Sequence, residues 1–548
     1  MLQSTPTINA RIPLLISIAV LLGSITLSRW MTGMANVLIA IFWLLDGMPI
    51  PQCPSHRTSF FQKARWYVAA WLSLIANSFA QKIQMYIGNR TALIFSSIFL
   101  MHLIGLVYTT DFEHAIRDLR IKIPLLLMPL FFSTIKPLNR KEFWWVMAFF
   151  ITALTVSTLI STWVLVTENP VDRRQISIFI SHIRFSLIIG LAVFIGIYLS
   201  LSEHRFSPAV RILLVTVVVW LLIFLFMLRS INGIAIFVAA SMFIAVILIL
   251  RASKPYLKVI LTVLILGTGI GSIGFVVNAW RNYSIADPIN FSTLDTHTAL
   301  GNLYLHDTVN FGIENGRFVG LYLSWNELPE AWNKRSEIDF NAHDAKNHEI
   351  RWTIIRYMSS KGYRKDAAGV AKLSEEDIRN IEQGVANVVY LEPFGVRGRL
   401  YETFLGIQNM IIRGDPNASS LAQRLEYWET AGWLIARNPI FGVGTGDIKN
   451  AFANAYVETN SPLEPRFRKR SHNQYLSIAV TFGLAGLAWF VVALLYPVFK
   501  LRRTGDLLFA AFLLIGLLSM LGEDTLETQA GVTFFAAFYS LLLWGREP

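Results

Sequence analysis

The chain has 548 residues, 54% of them hydrophobic and only 15% charged, against about 25% charged in an ordinary soluble domain. A net charge of +12 would suit a nucleic-acid partner, but the largest polar stretch, 280–471, holds 22 basic and 23 acidic residues. The excess falls in short loops between apolar runs, where membrane topology accounts for it, so no nucleic acid is expected. With a single cysteine, Cys53, a disulfide framework or thiolate metal site in the polar stretch is excluded as well.

In chain order, apolar runs lie at about 11–28, 33–47, 90–109, 120–135, 142–166, 184–200, 208–228, 231–250 and 257–279. After the polar stretch come runs at about 472–498, 505–522 and 529–545. The longer runs approach the ~20 residues a helix needs to cross a bilayer. The absence of water there demands that every backbone group be satisfied internally. The expectation is an all-α polytopic membrane protein of about twelve transmembrane helices. Spans 1–9 fall in residues 1–279, a large, mainly helical extracytoplasmic segment in 280–471, and spans 10–12 in 472–548. The runs 33–47 and 120–135 are short. Residues 64–80, flanked by Lys63, Arg65 and Lys82, read as an interfacial helix. A second apolar run follows the first almost at once, unlike a cleavable signal.

Lys and Arg gather in alternate loops: Arg57, Lys63, Arg65, Lys82 and Arg90; Lys136, Arg140 and Lys141; Arg205 and Arg211; Arg251, Lys254 and Lys258; Lys500, Arg502 and Arg503. The opposite loops are mixed or acidic, as at Asp111, Glu113 and Asp118, and at Glu523, Asp524 and Glu527. The positive-inside rule therefore predicts cytoplasmic termini and an external 280–471.

Within that segment, 281–325 reads as loop with short strands. Helical spacing follows over Asp344–Ser360. Ser374 with Asp377 makes a capping box opening a helix through about Val388, and Tyr401–Ile412 has an apolar face. A second box, Ser420 with Gln423, opens a helix carrying Leu425, Trp428, Gly432 and Leu434, which Asn438 and Pro439 end. Residues 281–400 offer no residue-level role.

Chemistry concentrates near the tenth span. Arg424 sits one turn before Trp428, and a Gly442-Val443-Gly444-Thr445-Gly446-Asp447 turn opens a further helix. The basic run Arg466-Phe467-Arg468-Lys469-Arg470 leads through Ser471 to His472 and Asn473. Free amides at a glycine-rich helix start can hold an anion, although such turns are usually only tight connections. The run can equally anchor lipid headgroups. His472, flanked by cations at headgroup depth, is expected to stay neutral, as a general base requires. The bland alternative is an interfacial histidine with a satisfied hydrogen bond. Arg229, in a short external turn, and Arg184, at a span start, are costly at a membrane edge unless they snorkel. Together these cations suit a diphosphate headgroup.

The stretch RLEYWETAGWLIARNPIFGVGTGDIKNAFANAY, followed by RSHNQYLSIAVTFGLAGLAWF, resembles the signature region of the O-antigen ligase and polymerase superfamily. The closing EDTLETQAGVTFFAAF resembles its last span. The first 280 residues resemble it mainly in hydropathy. The resemblance implies a GT-C-type glycosyltransferase of the bacterial inner membrane, with 280–471 periplasmic, using an undecaprenyl-diphosphate-linked glycan donor and needing no metal or cofactor. A ligase would transfer the glycan to a lipid A–core acceptor. By motif, His472 matches the family's base and Arg424 its diphosphate-binding arginine. Arg229, in an Arg-Ser order where the family has Ser-Arg, and Arg184 are weaker matches. Arg468, Lys469, Arg470, Gly444 and Gly446 would complete the diphosphate site, with Trp428 in support and Asn473, by adjacency alone, orienting His472. The resemblance leaves an O-antigen or exopolysaccharide polymerase as the alternative. A protein O-oligosaccharyltransferase would carry an additional C-terminal segment, and a lipid-linked glycan transporter would show repeats or broken spans.

Overall fold

Capping signals and apolar runs become helices in the computed structural model, which describes residues 7–53, 59–168, 170, 173–202, 206–392, 395–417 and 419–547. Arg57 and Arg205, counted above among the cytoplasmic charges, lie outside the described residues. The first helices are α1 (Arg11–Ser24), α2 (Arg29–Leu45), α3 (Phe60–Gly88), α4 (Arg90–Ile104), α5 (Phe112–Lys122), α6 (Pro124–Thr134), α7 (Arg140–Glu168), α8 (His182–Ser202), α9 (Pro208–Met227) and α10 (Ile231–Arg251). Next come α11 (Pro255–Ser284), four short strands, β1 (Leu305–Asp307), β2 (Ile313–Glu314), β3 (Arg317–Phe318) and β4 (Gly320–Leu323), and the helices α12 (Leu328–Asn333), α13 (Ile350–Lys361), α14 (Ala367–Ala371), α15 (Glu375–Glu382) and α16 (Val396–Arg413). The chain closes with α17 (Ser420–Arg437), α18 (Ile448–Glu458), α19 (Gln474–Lys500), α20 (Leu507–Gly522) and α21 (Gln529–Leu543).

Two compact units result. The first comprises 1–167, 175–244 and 424–548; the second comprises 168–174 and 245–423. The signature region from Arg424 onward therefore folds with the apolar helices of the first unit.

A helix stands at each of the twelve expected spans. Among the described residues six are long and apolar enough to cross a membrane, or seven if α3 and α4 form one broken span, bent by 96°. The bend has a local cause: Asn89 ends α3, and its side chain accepts from the Ala92 amide to start α4. The expected interfacial helix 64–80 is the middle of the 29-residue α3, in which only Tyr86 is buried. Four further apolar helices, α1, α2, α20 and α21, have 14 to 17 residues. In α21 every residue from Gly531 to Leu543 is buried, as expected of a helix that is apolar all round. Phe95 of α4 stacks on its Tyr539 at 4.2 Å between ring centroids.

The second unit has its own core, including Trp332, Ile354, Tyr357 and Ile381. The strands suspected in 281–325 exist: β1 pairs antiparallel with β4, and β2 with β3. Asn315 and Gly316 both have positive φ and close the β2–β3 hairpin as an Asn-Gly turn favours. Ser374 and Asp377 form the expected reciprocal capping box at the start of α15, which stops at Glu382, short of Val388, before the left-handed Gly384.

Candidate functional site

Arg424 and His472 are brought together in the first unit by a residue to which the sequence reading gave no site role. Glu523 follows α20 and is only 8% exposed. One of its oxygens accepts from Nη2 of Arg424 at 2.9 Å, and the other lies 3.8 Å from Nδ1 of His472. With Nδ1 turned to the carboxylate, Nε2 is the ring nitrogen left for an incoming group. Burial works to raise the Glu523 carboxyl; His472, Arg424 and Arg184 together outweigh it and hold the group below its ordinary value. The side chain is thus a carboxylate at neutral pH, kept charged by its cationic neighbours.

The turn bearing His472 is over-determined. His472 itself has φ +47°, a left-handed conformation uncommon for a side-chain-bearing residue and stored where surroundings enforce it. Ser471 Oγ donates to the Asn473 carbonyl at 2.8 Å and accepts from the Asn473 amide at 3.2 Å. Trp428 Nε1 donates to the Ser471 carbonyl at 3.1 Å, one residue before His472. Ser477 links Ser471 to Asp524, at 2.8 and 2.7 Å. Asn473 is committed differently from the expectation that it orients His472: its side chain accepts from the Tyr475 and Leu476 amides and caps α19. Its contribution is to fix where the helix begins.

Arg184 and Arg229 come from adjoining helix starts. Ser186 and Ser230 are hydrogen-bonded at 3.1 Å, which joins α8 to the first turn of α10. Arg229, 7% exposed, has φ +53°. Gly522 packs against Asn232, to which an added Cβ would approach within 3.2 Å, so the Arg229–Asn232 turn abuts the loop that carries Glu523. These contacts gather Arg184, Arg229, Arg424, His472 and Glu523 at one end of the first unit. The cap that positions Arg424 sits one residue earlier than expected: Ser419 Oγ accepts from the Leu421 and Ala422 amides, and Gln423 donates to the Asn417 carbonyl.

Three expectations are corrected. His472 does not face cations alone, because its ring nitrogen lies 3.8 Å from the Glu523 carboxylate. Arg470 is not available for a diphosphate: it pairs at 3.0 Å with Glu527, which is also bound by buried Lys122 at 3.0 Å. Arg468 donates to the Leu463 carbonyl, while Lys469 is exposed and makes no ion pair among the described residues. Finally, the turn containing Gly444 and Gly446 is a joint rather than an anion cradle. The Gly444 amide donates to the Thr481 carbonyl at 2.9 Å and the Thr445 amide to the Gly105 carbonyl at 3.4 Å. The Gly446 amide donates to Thr109 Oγ1 at 2.8 Å, and Asp447 accepts from the Thr110 and Asp111 amides at 2.7 and 2.9 Å. Tight approach explains the glycine at 446, where a Cβ would collide with the Asp111 carbonyl oxygen.

The carboxylates of the 523–528 loop were legible only as topology markers, although the resemblance did extend to EDTLET. Comparison with curated proteins gives no match. The site and the joint fall largely within one recognisable region: a family model described as O-antigen ligase (Wzy_C) matches residues 385–491, which include Arg424, Gly444, Gly446 and His472.

Proposed function

We propose that the chain is an O-antigen ligase-like glycosyltransferase at the periplasmic face of a bacterial inner membrane, with twelve spans of GT-C type and cytoplasmic termini. It moves a glycan from an undecaprenyl-diphosphate carrier to a lipid A–core acceptor. The observation that carries this reading is the Arg424–Glu523–His472 chain, two members of which lie in the family-matched region.

His472 Nε2 takes the proton of an acceptor hydroxyl as that oxygen bonds to the anomeric carbon of the donor. The bond from that carbon to the diphosphate oxygen breaks, undecaprenyl diphosphate leaves with the electron pair, and attack from the opposite face inverts the centre. Glu523 holds the Nδ1 side of the ring and stabilises the imidazolium that forms, the role of an orienting carboxylate beside a catalytic histidine. Arg424, Arg184 and Arg229 meet the charge developing on the leaving diphosphate, in place of a metal ion. Arg424 would release part of its hold on Glu523 or share itself between the two anions, since a guanidinium carries five donors.

The test is a lipopolysaccharide gel of a deletion strain complemented with the wild type or with His472→Ala. The expected result for the variant is core without polymer together with accumulated lipid-linked polymer, at wild-type levels of inserted protein. Core bearing a single repeat unit would assign the polymerase reading instead, and a wild-type ladder would remove His472 as the base.

A further inference from the structure

The second unit contains a cavity of about 310 Å³ lined by Arg317, Phe318, Tyr322, Tyr363, Arg364 and Lys365 among others, at the small end of ligand-sized sites (about 300–1,000 Å³). Of the thirteen lining residues three are cationic, Arg317, Arg364 and Lys365, against one carboxylate, Asp287, and the cations differ in how their charge is met. Arg364 pairs with Asp295 and lies over the Tyr322 ring at 4.5 Å, a cation–π contact. Arg317 is exposed and makes no ion pair among the described residues. Its guanidinium occupies the space beside the left-handed Gly362 (φ +75°), where an added Cβ would collide with it.

Lys365 is the least ordinary. It is 3% exposed, and Nζ donates to the Leu321 carbonyl at 2.8 Å, with no carboxylate in ion-pair range among the described residues. An ammonium has three donors, and a buried charge without a counter-charge is costly. Burial, reinforced by Arg317, lowers its pKa to about 7. The lysine is not there by default of packing, because its backbone is pinned on both sides: its amide donates to the Tyr322 carbonyl and its carbonyl accepts from the Ser324 amide, both at 2.9 Å. Tyr322 in turn has φ +51°, an outlier for a bulky residue. Its amide donates to His306 Nδ1 at 3.2 Å, which helps hold that conformation. Strained backbone, a buried under-bonded cation and aromatic walls coincide in one cavity, as they do at ligand sites.

We propose that this cavity binds an anionic saccharide, a sugar ring bearing a carboxylate or phosphate, with Arg317 and Lys365 holding the acid and Phe318 and Tyr363 flanking the ring. That the anion is carried on a sugar rests on the transferase reading; the anion site does not. The acidic sugar would belong either to the donor glycan or to the acceptor core.

The experiment is calorimetric titration of the full-length protein in nanodiscs with glucuronic acid, glucose 6-phosphate, glucose and inorganic phosphate. Both acidic sugars are expected to bind at least tenfold more tightly than glucose and inorganic phosphate. Lys365→Met and, independently, the exposed Arg317→Ala should each weaken them at least tenfold without lowering the melting temperature appreciably, while His472→Ala leaves binding unchanged. Competition by phosphorylated core oligosaccharide assigns the acceptor, and competition by an acidic donor glycan assigns the donor. Equal binding of glucose, binding of inorganic phosphate as tight as that of the sugar phosphate, or indifference to Arg317→Ala would overturn the proposal. Saccharide binding in a protein that fails the lipopolysaccharide test would sink the transferase reading alone; transfer without such binding would sink this one alone.

Discussion

Replacing Glu523 with Gln preserves shape and removes the charge that links Arg424 to His472. At the 3.8 Å separation seen between Nδ1 and the carboxylate, and an effective dielectric of about 20, a full charge pair is worth about 4 kcal/mol, or about 1,000-fold in rate if it is realised only once the ring has taken its proton. Arg424 on the other carboxylate oxygen draws off part of that charge, so the expected loss of turnover is about 100- to 1,000-fold. An amide can still accept from Arg424 with one end, so donor affinity should change by only a few-fold. The assay is transfer in proteoliposomes with purified lipid-linked donor and lipid A–core, following turnover and donor KM across pH. A loss confined to turnover, with an altered pH profile and partial recovery in Glu523→Asp, is the signature of a positioning carboxylate. Turnover within threefold of wild type in Glu523→Gln would refute the role, and a rise in KM alone would move Glu523 from catalysis to donor binding.

Other perturbations read the scaffold. Lys122→Met leaves buried Asp118 without the ammonium that both of its oxygens bind at 2.6 Å and should lower stability by about 3–5 kcal/mol; adding Asp118→Leu should recover only part of it, because Glu527, which Lys122 also binds at 3.0 Å, still loses that partner, as thermal melts in detergent would show. Gly446→Ala should lower stability by about 1–3 kcal/mol through overpacking while leaving donor KM unchanged in the folded fraction; a selective rise in KM would restore the anion-cradle reading of that turn. Burial acts to raise Asp377, but Lys361, Tyr357 and Ser374 together bring it down to about 2, from an ordinary value near 3.8. Its contribution is therefore complete above about pH 4 and lost as pH falls through about 2. Asp377→Asn should remove about 2 kcal/mol at neutral pH, seen as faster hydrogen exchange across Glu375–Glu382, and unchanged exchange would contradict it.

The helices were legible because apolar runs, caps and breakers are local. The Ser374–Asp377 box, the Asn438–Pro439 stop and the helix start after His472 all involve residues within a few positions of one another. Glu523 was not legible in this way. Its partners lie 99 residues back at Arg424 and, at His472, on the far side of two helices, so no periodicity or cap records the pairing. What the sequence does show is an acidic residue at a span edge without a basic neighbour three or four positions away; that signal marks a buried pair as readily as a topology boundary. The basic run misled for the matching reason. A cluster of cations in sequence says nothing of which one turns inward, and Arg470 does so because Glu527 and Lys122 form a buried cluster there. Likewise the glycine-rich turn displays free amides only until Gly105, Thr109 and Thr481, all remote in sequence, consume them.

The geometry of the proposed base, His472, depends on a residue with no chemistry of its own. Gln474, fully buried and two positions after His472, donates through Nε2 to Glu527 at 3.1 Å and accepts from the Leu526 amide at 2.7 Å. It therefore ties the start of α19 to the same short loop that presents Glu523. A side-chain amide suits this place because it supplies one donor to a carboxylate and one acceptor to a backbone N–H at once, which neither a carboxylate nor an ammonium can do. Glu527, held by Lys122, Arg470 and Gln474, anchors the loop four residues beyond Glu523, so the distance between Glu523 and His472 is set from beneath rather than by their own weak contact. A general base must be held within a fraction of an ångström of its proton while its partner charge changes during the reaction. Placing the rigid cross-link in neighbouring residues would leave the Glu523–His472 pair free to tighten in the proposed step, as His472 takes its proton.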